Sequence, residues 1–264
     1  MLRKGPLRKL LARLPLLRRL AGAASADNWT RPHPFDIAHG TDTSGFVSTS
    51  KLKRSTPRKV RAQSLPYAGS QPSIVRAALA ALPRLDAFTF VDLGCGKGRP
   101  LLVAAEFPFR RLVGVELSAS LADTARANAA LIAPGAPLEI VTGDAGLFAL
   151  PEGDVVVFLY NPFGDEVIAK VAAAVEAALA RARRTIFVVY YNPVFGHRFD
   201  SAPSLRRHIA RTFPYAPEEL GFGPDTEDPV IVWHGGTQLG PAAPGADARI
   251  EIVDPLYRAR LADT

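Results

Sequence analysis

Residues 88–98 read Phe88-Thr89-Phe90-Val91-Asp92-Leu93-Gly94-Cys95-Gly96-Lys97-Gly98, and this stretch decides the fold class of the chain. An apolar strand runs directly into a turn in which every second residue is glycine. Sharp turns between a strand and a helix often need backbone with positive φ, and a glycine also lets the backbone approach a ligand closely. The stretch therefore predicts the floor of a nucleotide-like cofactor site.

The spacing of the glycines separates two kinds of cofactor. The dinucleotide fingerprint Gly-x-Gly-x-x-Gly needs its third glycine at position 99, where this chain has Arg99. Asp92 lies two residues before the first glycine. A carboxylate at a strand end suits a ligand with an ammonium and a sulfonium group better than it suits a pyrophosphate. The loop therefore favours S-adenosylmethionine.

Two further strand ends carry acids. Residues 112–116 form an apolar run that ends in Glu116, which can accept hydrogen bonds from both ribose hydroxyls and would repel a 2′-phosphate. Residues 138–142 run into Gly143, Asp144 and Ala145, and Asp144 is placed to accept from an adenine amino group. These positions predict the nucleoside half of the same site.

The three strand ends, taken together, resemble those of the class I S-adenosylmethionine-dependent methyltransferases. The resemblance covers residues 72–195, and it implies that the three positions serve the methionine and glycine-loop contacts, the ribose and the adenine. The cofactor-binding residues that it implies are Asp92, Gly94, Gly96, Gly98, Glu116, Asp144 and Ala145.

The resemblance also implies an α/β, Rossmann-like class I methyltransferase fold. Such a fold has a seven-stranded, mostly parallel sheet with a C-terminal antiparallel hairpin, and alternating strand and helix patterns support it. We assign the hairpin to residues 230–234 and 248–253, which are separated by a Gly-Gly turn and a longer loop rich in Gly and Pro.

The methyl acceptor should meet the turn Asn161-Pro162-Phe163-Gly164, which follows the continuous apolar run 155–160. The Asn161 carbonyl can accept from an incoming amine, Pro162 stiffens the turn, and Phe163 can wall the acceptor or stabilise positive charge through its ring face. The turn is similar to the Asn/Asp-Pro-Pro-aromatic motif of amino-group methyltransferases, but it lacks the second proline. In an alternative interpretation, the turn only caps the next helix.

A second Asn-Pro turn, Asn192-Pro193, follows the fifth strand, so the two turns can frame one slot. Tyr190 or Tyr191 can line it, but alternation allows only one of them to point to a given face; our candidate is Tyr190. His197 is the best-placed histidine for proton removal, with polar surface as the alternative. The histidines show no metal-ligand spacing, so we predict no metal.

Charged residues are distributed unevenly along the chain. Of the 264 residues, with a net charge of +7, residues 1–61 hold 14 Lys or Arg against 3 acids, which leaves 18 against 22 for residues 62–264. We expect a basic N-terminal arm at 1–61 and a methyltransferase domain at 62–264. With 48% hydrophobic residues the domain can bury a sizeable core. Cys95 is the single cysteine, which excludes an internal disulfide framework.

The arm has several interpretations. Residues 7–14 have leucines at helical spacing and basic residues opposite, as in a helix on an anionic membrane, an organelle presequence or a disordered tail. The basic run 51–61 can meet nucleic acid, lipid or an acidic protein surface, or be a solvated linker.

We expect Thr41 to Gly45 and Tyr67 to form an ordered lid over the cofactor. No run is long enough to span a membrane. We expect a cytoplasmic protein, with attachment to a membrane surface through the arm as the alternative.

The function that these patterns favour is N-methylation by S-adenosylmethionine. The glycine loop, Glu116 and the turn Asn161-Pro162-Phe163 resemble in outline the lysine methyltransferases built on the class I fold, which implies a protein lysine as the acceptor. Two alternatives stay open. One is a small-molecule O- or N-methyltransferase, and the other is a non-catalytic S-adenosylmethionine-binding protein that docks through its basic arm.

Overall fold

The computed structural model describes residues 31–47, 66–132, 134–223, 225–237, 245–250 and 252. The helices in these residues are α1 Pro34–His39, α2 Pro72–Ala80, α3 Arg99–Ala104, α4 Ala119–Ala130, α5 Asp165–Arg181 and α6 His197–Asp200, with short 3₁₀ turns at Ala145–Leu147 and Pro217–Glu219. The strands are β1 Phe46–Val47, β2 Tyr67–Ala68, β3 Thr89–Leu93, β4 Arg111–Glu116, β5 Leu138–Thr142, β6 Val155–Tyr160, β7 Thr185–Tyr191, β8 Arg206–Pro214 and β9 Glu227–Gly236.

Seven strands form one sheet in the order β5-β4-β3-β6-β7-β9-β8. The first five in this order are parallel, and β9 lies antiparallel between β7 and β8. The predicted α/β fold class is therefore confirmed. The strand order reverses beside β3, which has β4 on one side and β6 on the other, and ligands of open α/β sheets bind at such a point, beyond the carboxyl ends of the strands.

The predicted C-terminal hairpin is correct in one strand and wrong in the other. Residues 230–234 lie in β9, but its hairpin partner is β8, and residues 248–250 form no strand. The pattern of β8 is hard to see because this strand lies at the edge of the sheet, where exposed arginines are tolerated. A register irregularity between Arg207 and Ile209 also interrupts its alternation.

The core has two halves, one on each face of the sheet. Alternation along the buried strands sends Phe90 and Phe158 to the face covered by α2 and α3, and Val91 and Val157 to the face covered by α5. The central strands are buried on both faces, so they read as continuous apolar runs. This packing holds the carboxyl ends of β3, β4, β6 and β7 at one edge.

Residues 31–47, which the sequence places in the arm, pack on the domain as α1 and a β-ribbon of β1 with β2. The amphipathic stretch 7–14 and the basic run 51–61 lie outside the described residues, and the boundary at residue 62 stays a prediction. Among the helices that the structure describes, none has the length and apolarity needed to cross a membrane.

His33 anchors this N-terminal segment. Its Nδ1 accepts from Phe35 N at 3.1 Å and so caps α1, while its Nε2 lies 3.0 Å from Gln71 Oε1. These partners require the tautomer with the proton on Nε2, which donates to the amide oxygen. Burial, and then the charge of Arg99, lowers the pKa of His33 to about 4. The imidazole is therefore neutral in the folded protein.

We predict that His33 makes the fold acid-sensitive. The pKa is lower in the folded chain, so the neutral ring's contribution is complete above the ordinary value of 6.5 and disappears as the pH falls toward 4. Between these pH values the wild type should lose ~2–3 kcal/mol more unfolding free energy than His33→Asn, which keeps a capping side chain that does not titrate. Urea unfolding at several pH values measures this, and parallel pH curves for the two proteins would contradict it.

Candidate functional site

All three glycines of the loop have left-handed backbone, with φ of +81° at Gly94, +55° at Gly96 and +89° at Gly98. There is also no room for side chains. A Cβ on Gly94 would lie 2.5 Å from Pro162 Cβ, and one on Gly96 would lie 2.3 Å from Tyr67 Cε2. The loop is therefore in contact with the predicted acceptor turn and with the predicted lid residue, which approach it from distant parts of the chain.

Asp92 lies on β3, just before the loop, and is 1% exposed. Its Oδ2 is buried and has no hydrogen-bond partner among the described residues. Burial, and then the nearby charge of Glu116, raises the pKa of Asp92 well above its ordinary value. A buried carboxyl oxygen without a donor is costly, so its presence indicates a site built for a donor or cation that is not part of the protein.

Glu116 ends β4 and holds the loop from the next strand. Its Oε2 accepts from Gly96 N at 2.9 Å and its Oε1 accepts from Ser118 N at 2.7 Å. Burial raises the pKa of Glu116, although these backbone donors act in the opposite direction. Each carboxylate oxygen has a second lone pair, so Glu116 can still accept from a diol.

Asp144 and Ala145 follow β5, the next strand along the edge. Asp144 Oδ1 accepts from Gly146 N at 2.8 Å and caps the 3₁₀ turn that Ala145 begins, while Ala145 is buried. Strand pairing aligns Glu116 with Thr142, two residues before Asp144. The three predicted acids thus lie along one edge of the sheet, in the order expected for a nucleoside with an amino-acid tail.

The two cations of the glycine loop contact the N-terminal segment. Lys97 Nζ donates to Asp42 Oδ1 at 2.6 Å and to the Ser44 carbonyl at 2.7 Å. The Asn128 side chain joins the same turn, donating to the carbonyls of Asp42 and Lys97, both at 2.9 Å, and accepting from Asp42 N at 2.8 Å. The hydroxyl-rich turn 41–45, predicted to be ordered, is therefore attached to the loop.

Arg99 is 3% exposed and is the centre of a second set of contacts. It donates to Thr43 Oγ1 at 2.6 Å and to the Ser70 carbonyl at 2.8 Å, and Asp36 Oδ2 lies 3.5 Å away. Burial alone would raise the pKa of Asp36, but hydrogen bonds from Ser44, Thr43 and Thr41 outweigh it and hold that pKa below its ordinary value. Sequence reasoning missed this buried ion pair. Its only local signal was the unusual density of hydroxyl side chains at 41–44.

The predicted acceptor turn is strained in the same way as its neighbour, since Asn161 has φ of +38° and Asn192 has φ of +54°. Asn161 Oδ1 lies 3.3 Å from the Tyr190 hydroxyl, which donates to it, so two predicted residues are brought together. Phe163, with 9% exposure, packs in the core and against the loop, and its role beside the acceptor stays a prediction. His197 is exposed, with Nε2 3.5 Å from Asp165 Oδ1.

Tyr191 points to the opposite face from Tyr190, as alternation requires. Its ring lies 4.3 Å from that of Tyr160, and its hydroxyl donates to Asp228 Oδ2 at 2.6 Å. Tyr215 donates to the same oxygen at 2.5 Å. Sequence reasoning singled out neither Asp228, in β9, nor Tyr215, just after β8, because the first strand of this hairpin was missed.

The part of the chain that holds this site is similar to known proteins. Residues 91–186, from β3 into β7, match the family model described as a methyltransferase domain. These residues therefore belong to a methyltransferase domain. Its sheet order, glycine loop and strand-end acids all lie in or beside the matched segment.

Relatives of the methyltransferase domain differ in the reactions for which they are named. The trans-aconitate 2-methyltransferase of Azoarcus sp. (strain BH72) is 35% identical over 101 residues, which is 34% of this chain and 40% of the relative. Among solved structures, a candidate RNA methyltransferase from Pyrococcus horikoshii is 16% identical, with a TM-score of 0.46 and coverage of 71% of this chain and 92% of that one. The [4+2]-cyclase SpnF is 10% identical, with a TM-score of 0.47 and coverage of 62% and 81%.

Two further observations concern metal ligation and thiol chemistry in the described part of the methyltransferase domain. No group of three or more His, Cys, Asp or Glu side chains is arranged there to hold a metal ion. Cys95 lies in the loop, but burial, followed by the charges of Asp92 and Glu116, raises its thiol pKa well above the ordinary value. The thiol stays protonated, which makes it a poor nucleophile.

We predict that Asp92→Asn separates binding from stability. Because the pKa of Asp92 is raised in the folded state, its ionised form opposes folding at neutral pH, so the amide should leave the unfolding free energy unchanged or higher. The Kd for S-adenosylmethionine should rise about 10- to 100-fold, the value of a hydrogen bond to a charged group. Calorimetry and urea unfolding measure the two effects. Glu139→Gln, in an exposed pair with Arg111, serves as the control with unchanged Kd.

A second prediction concerns Lys97, whose contacts with Asp42 and Ser44 leave it holding the N-terminal turn. Because Lys97 acts by holding this turn, Lys97→Met should weaken the binding of S-adenosylmethionine and of 5′-methylthioadenosine by the same factor. The second ligand has the nucleoside but no amino-acid carboxylate, so it does not report a contact between Lys97 and that carboxylate. Titrations of both ligands against both proteins give the two ratios. A loss confined to S-adenosylmethionine would show instead that Lys97 binds the carboxylate.

Proposed function

We propose that this protein transfers the methyl group of S-adenosylmethionine to an amine, with a protein lysine side chain as the favoured acceptor. The observation that carries the proposal is the buried, partnerless Oδ2 of Asp92 beside a loop whose glycines leave no room for side chains. A cationic ligand with an ammonium group supplies what this oxygen lacks.

The residues present fit this cofactor in three parts. Asp92 and the loop amides suit its amino-acid end, Glu116 suits its ribose, and Asp144 with Ala145 suits its adenine. When bound, S-adenosylmethionine supplies a methyl group on a sulfonium that a lone pair can displace directly. The protein then has to align the acceptor and exclude water. Pro162 and Tyr67, packed on Gly94 and Gly96, serve that task by closing two sides of the loop.

The pairing of charged side chains near the acceptor turn favours an amine over a polyanion as the methyl acceptor. Three cationic side chains at this edge are each engaged with a carboxylate: Lys97 with Asp42, Arg99 with Asp36 and Arg198 with Asp165. A polycarboxylate would need cations, whereas an amine needs acceptors. Asn161 supports an amine because its side-chain carbonyl is a hydrogen-bond acceptor, as its contact with the Tyr190 hydroxyl shows.

Methylation of a small molecule is the second candidate. The observation in its favour is the relative named for trans-aconitate, although the match spans only 40% of that protein. Function is set by the acceptor residues more than by a shared cofactor domain. The docking of the basic arm on a membrane or nucleic acid, and a cytoplasmic location, stay predictions, as does the rival function of a cofactor-binding protein without catalysis.

The deciding experiment is transfer of tritiated methyl from S-adenosylmethionine into a cell lysate, divided into protein, nucleic-acid and small-molecule fractions. We expect label in protein, recovered as methyl-lysine after hydrolysis, and a loss of at least about tenfold with Asp92→Asn at limiting cofactor. Label only in small molecules would favour the second candidate. No transfer by a protein that binds the cofactor would leave the non-catalytic alternative.

A further inference from the structure

We propose that Tyr160, Tyr191, Tyr215 and Asp228, which we call the tyrosine–aspartate cluster, form a binding subsite for the alkylammonium group of the acceptor. This inference rests on the proposed function and extends it to a part of the molecule outside the family match, since two of the four residues lie beyond residue 186 by more than twenty positions.

The cluster lies at the reactive edge of the sheet. Tyr160 and Tyr191 are the last residues of the parallel neighbours β6 and β7 and pair with one another. Since β9 runs antiparallel to β7, its second residue, Asp228, lies at the same edge, as does Tyr215 just after β8. The cluster thus directly adjoins the turn at Asn161.

The cluster also lies on the same face of the sheet as Asp92. Phe90 packs in the core half that contains Tyr191 and Tyr215, and alternation along β3 puts Asp92 on the face of Phe90. Asp92 pairs with Phe158 on β6, and Tyr160 is two residues farther toward the edge. From strand spacing and rise, the Cα atoms of Tyr191 and Asp92 are therefore about 12 Å apart, a span that suits an acceptor at one end and the cofactor's ammonium at the other.

The chemistry of the cluster is that of a cation site. Asp228 is 7% exposed, and both tyrosine hydroxyls donate to its Oδ2. Burial, and then the charge of Asp228, raises the pKa of Tyr191 and of Tyr215, so both remain protonated and their oxygens keep lone pairs directed elsewhere.

An alkylammonium group could use every component of this arrangement. The carboxylate supplies negative charge in a desolvated setting, where its attraction is strong. The two phenol oxygens accept hydrogen bonds from the N–H groups. The face of Tyr160, which is partly exposed and packed on Tyr191, adds a cation–π contact. A neutral isostere of the same shape would gain only the packing.

The test compares two small probes on the full chain saturated with S-adenosylhomocysteine: Nα-acetyl-lysine-N-methylamide and its uncharged counterpart Nα-acetyl-norleucine-N-methylamide. By calorimetry, the wild type should prefer the lysine probe by about tenfold or more, and Asp228→Asn should lose most of that preference while binding S-adenosylhomocysteine within about twofold of wild type. Tyr191→Phe and Tyr215→Phe, which keep the rings, should each lose part of the preference for the lysine probe. These two variants test the subsite if Asp228→Asn does not fold.

The matched control is Asp200→Asn. Asp200 also accepts from two side chains, Trp233 at 2.9 Å and Arg207, but it lies with Trp233 on the other face of the sheet. This variant should keep the preference. Equal affinity of the wild type for both probes, or an unchanged preference in Asp228→Asn, would overturn the subsite. A lysine preference without protein methylation in the lysate would instead refute the proposed function alone.

Discussion

The structure depends on the lack of space around two glycines of one loop, Gly94 and Gly96. Residues 94–98 turn with left-handed backbone between β3 and α3, and Pro162 and Tyr67 come so close that no Cβ fits at Gly94 or Gly96. Because the loop has no side chains at these points, the acceptor turn and the N-terminal segment can both contact it. Any side chain there would push these segments apart and would also fill the space that a cofactor needs.

Charge is arranged around this loop at a cost to stability. Asp92 is buried with an oxygen that no described residue satisfies, and Glu116 beside it raises its pKa further. Arg99, close by in sequence, is buried as well, but it donates to Thr43 Oγ1 and to the Ser70 carbonyl and has an acid, Asp36, to balance its charge. The two residues differ in that Arg99 is paired within the described part of the protein, whereas Asp92 is the residue for which we propose a ligand as the partner.

Much of the fold and half of the site were predictable because their signals are local. The apolar runs of β3, β6 and β7 are continuous, as strands buried on both faces must be, and the acids Asp92, Glu116 and Asp144 stand at strand ends whose order follows from the parallel topology. The strand β8 was missed because an edge strand needs no apolar face, and its irregularity near His208 breaks the alternation that remains.

By itself, the sequence determined the alternation of strands and helices from β3 to β7, the turn at the glycine loop and the kind of ligand that we propose for it, because each follows from residues next to one another in the chain. Tertiary structure alone decided which side chains meet. Arg99 and Asp36 are 63 positions apart, Tyr191 and Asp228 are 37 apart, and no local pattern pairs them. Such contacts exist only because the sheet brings distant strand ends to one edge, where a side chain's partner is set by register and face and not by its neighbours in sequence.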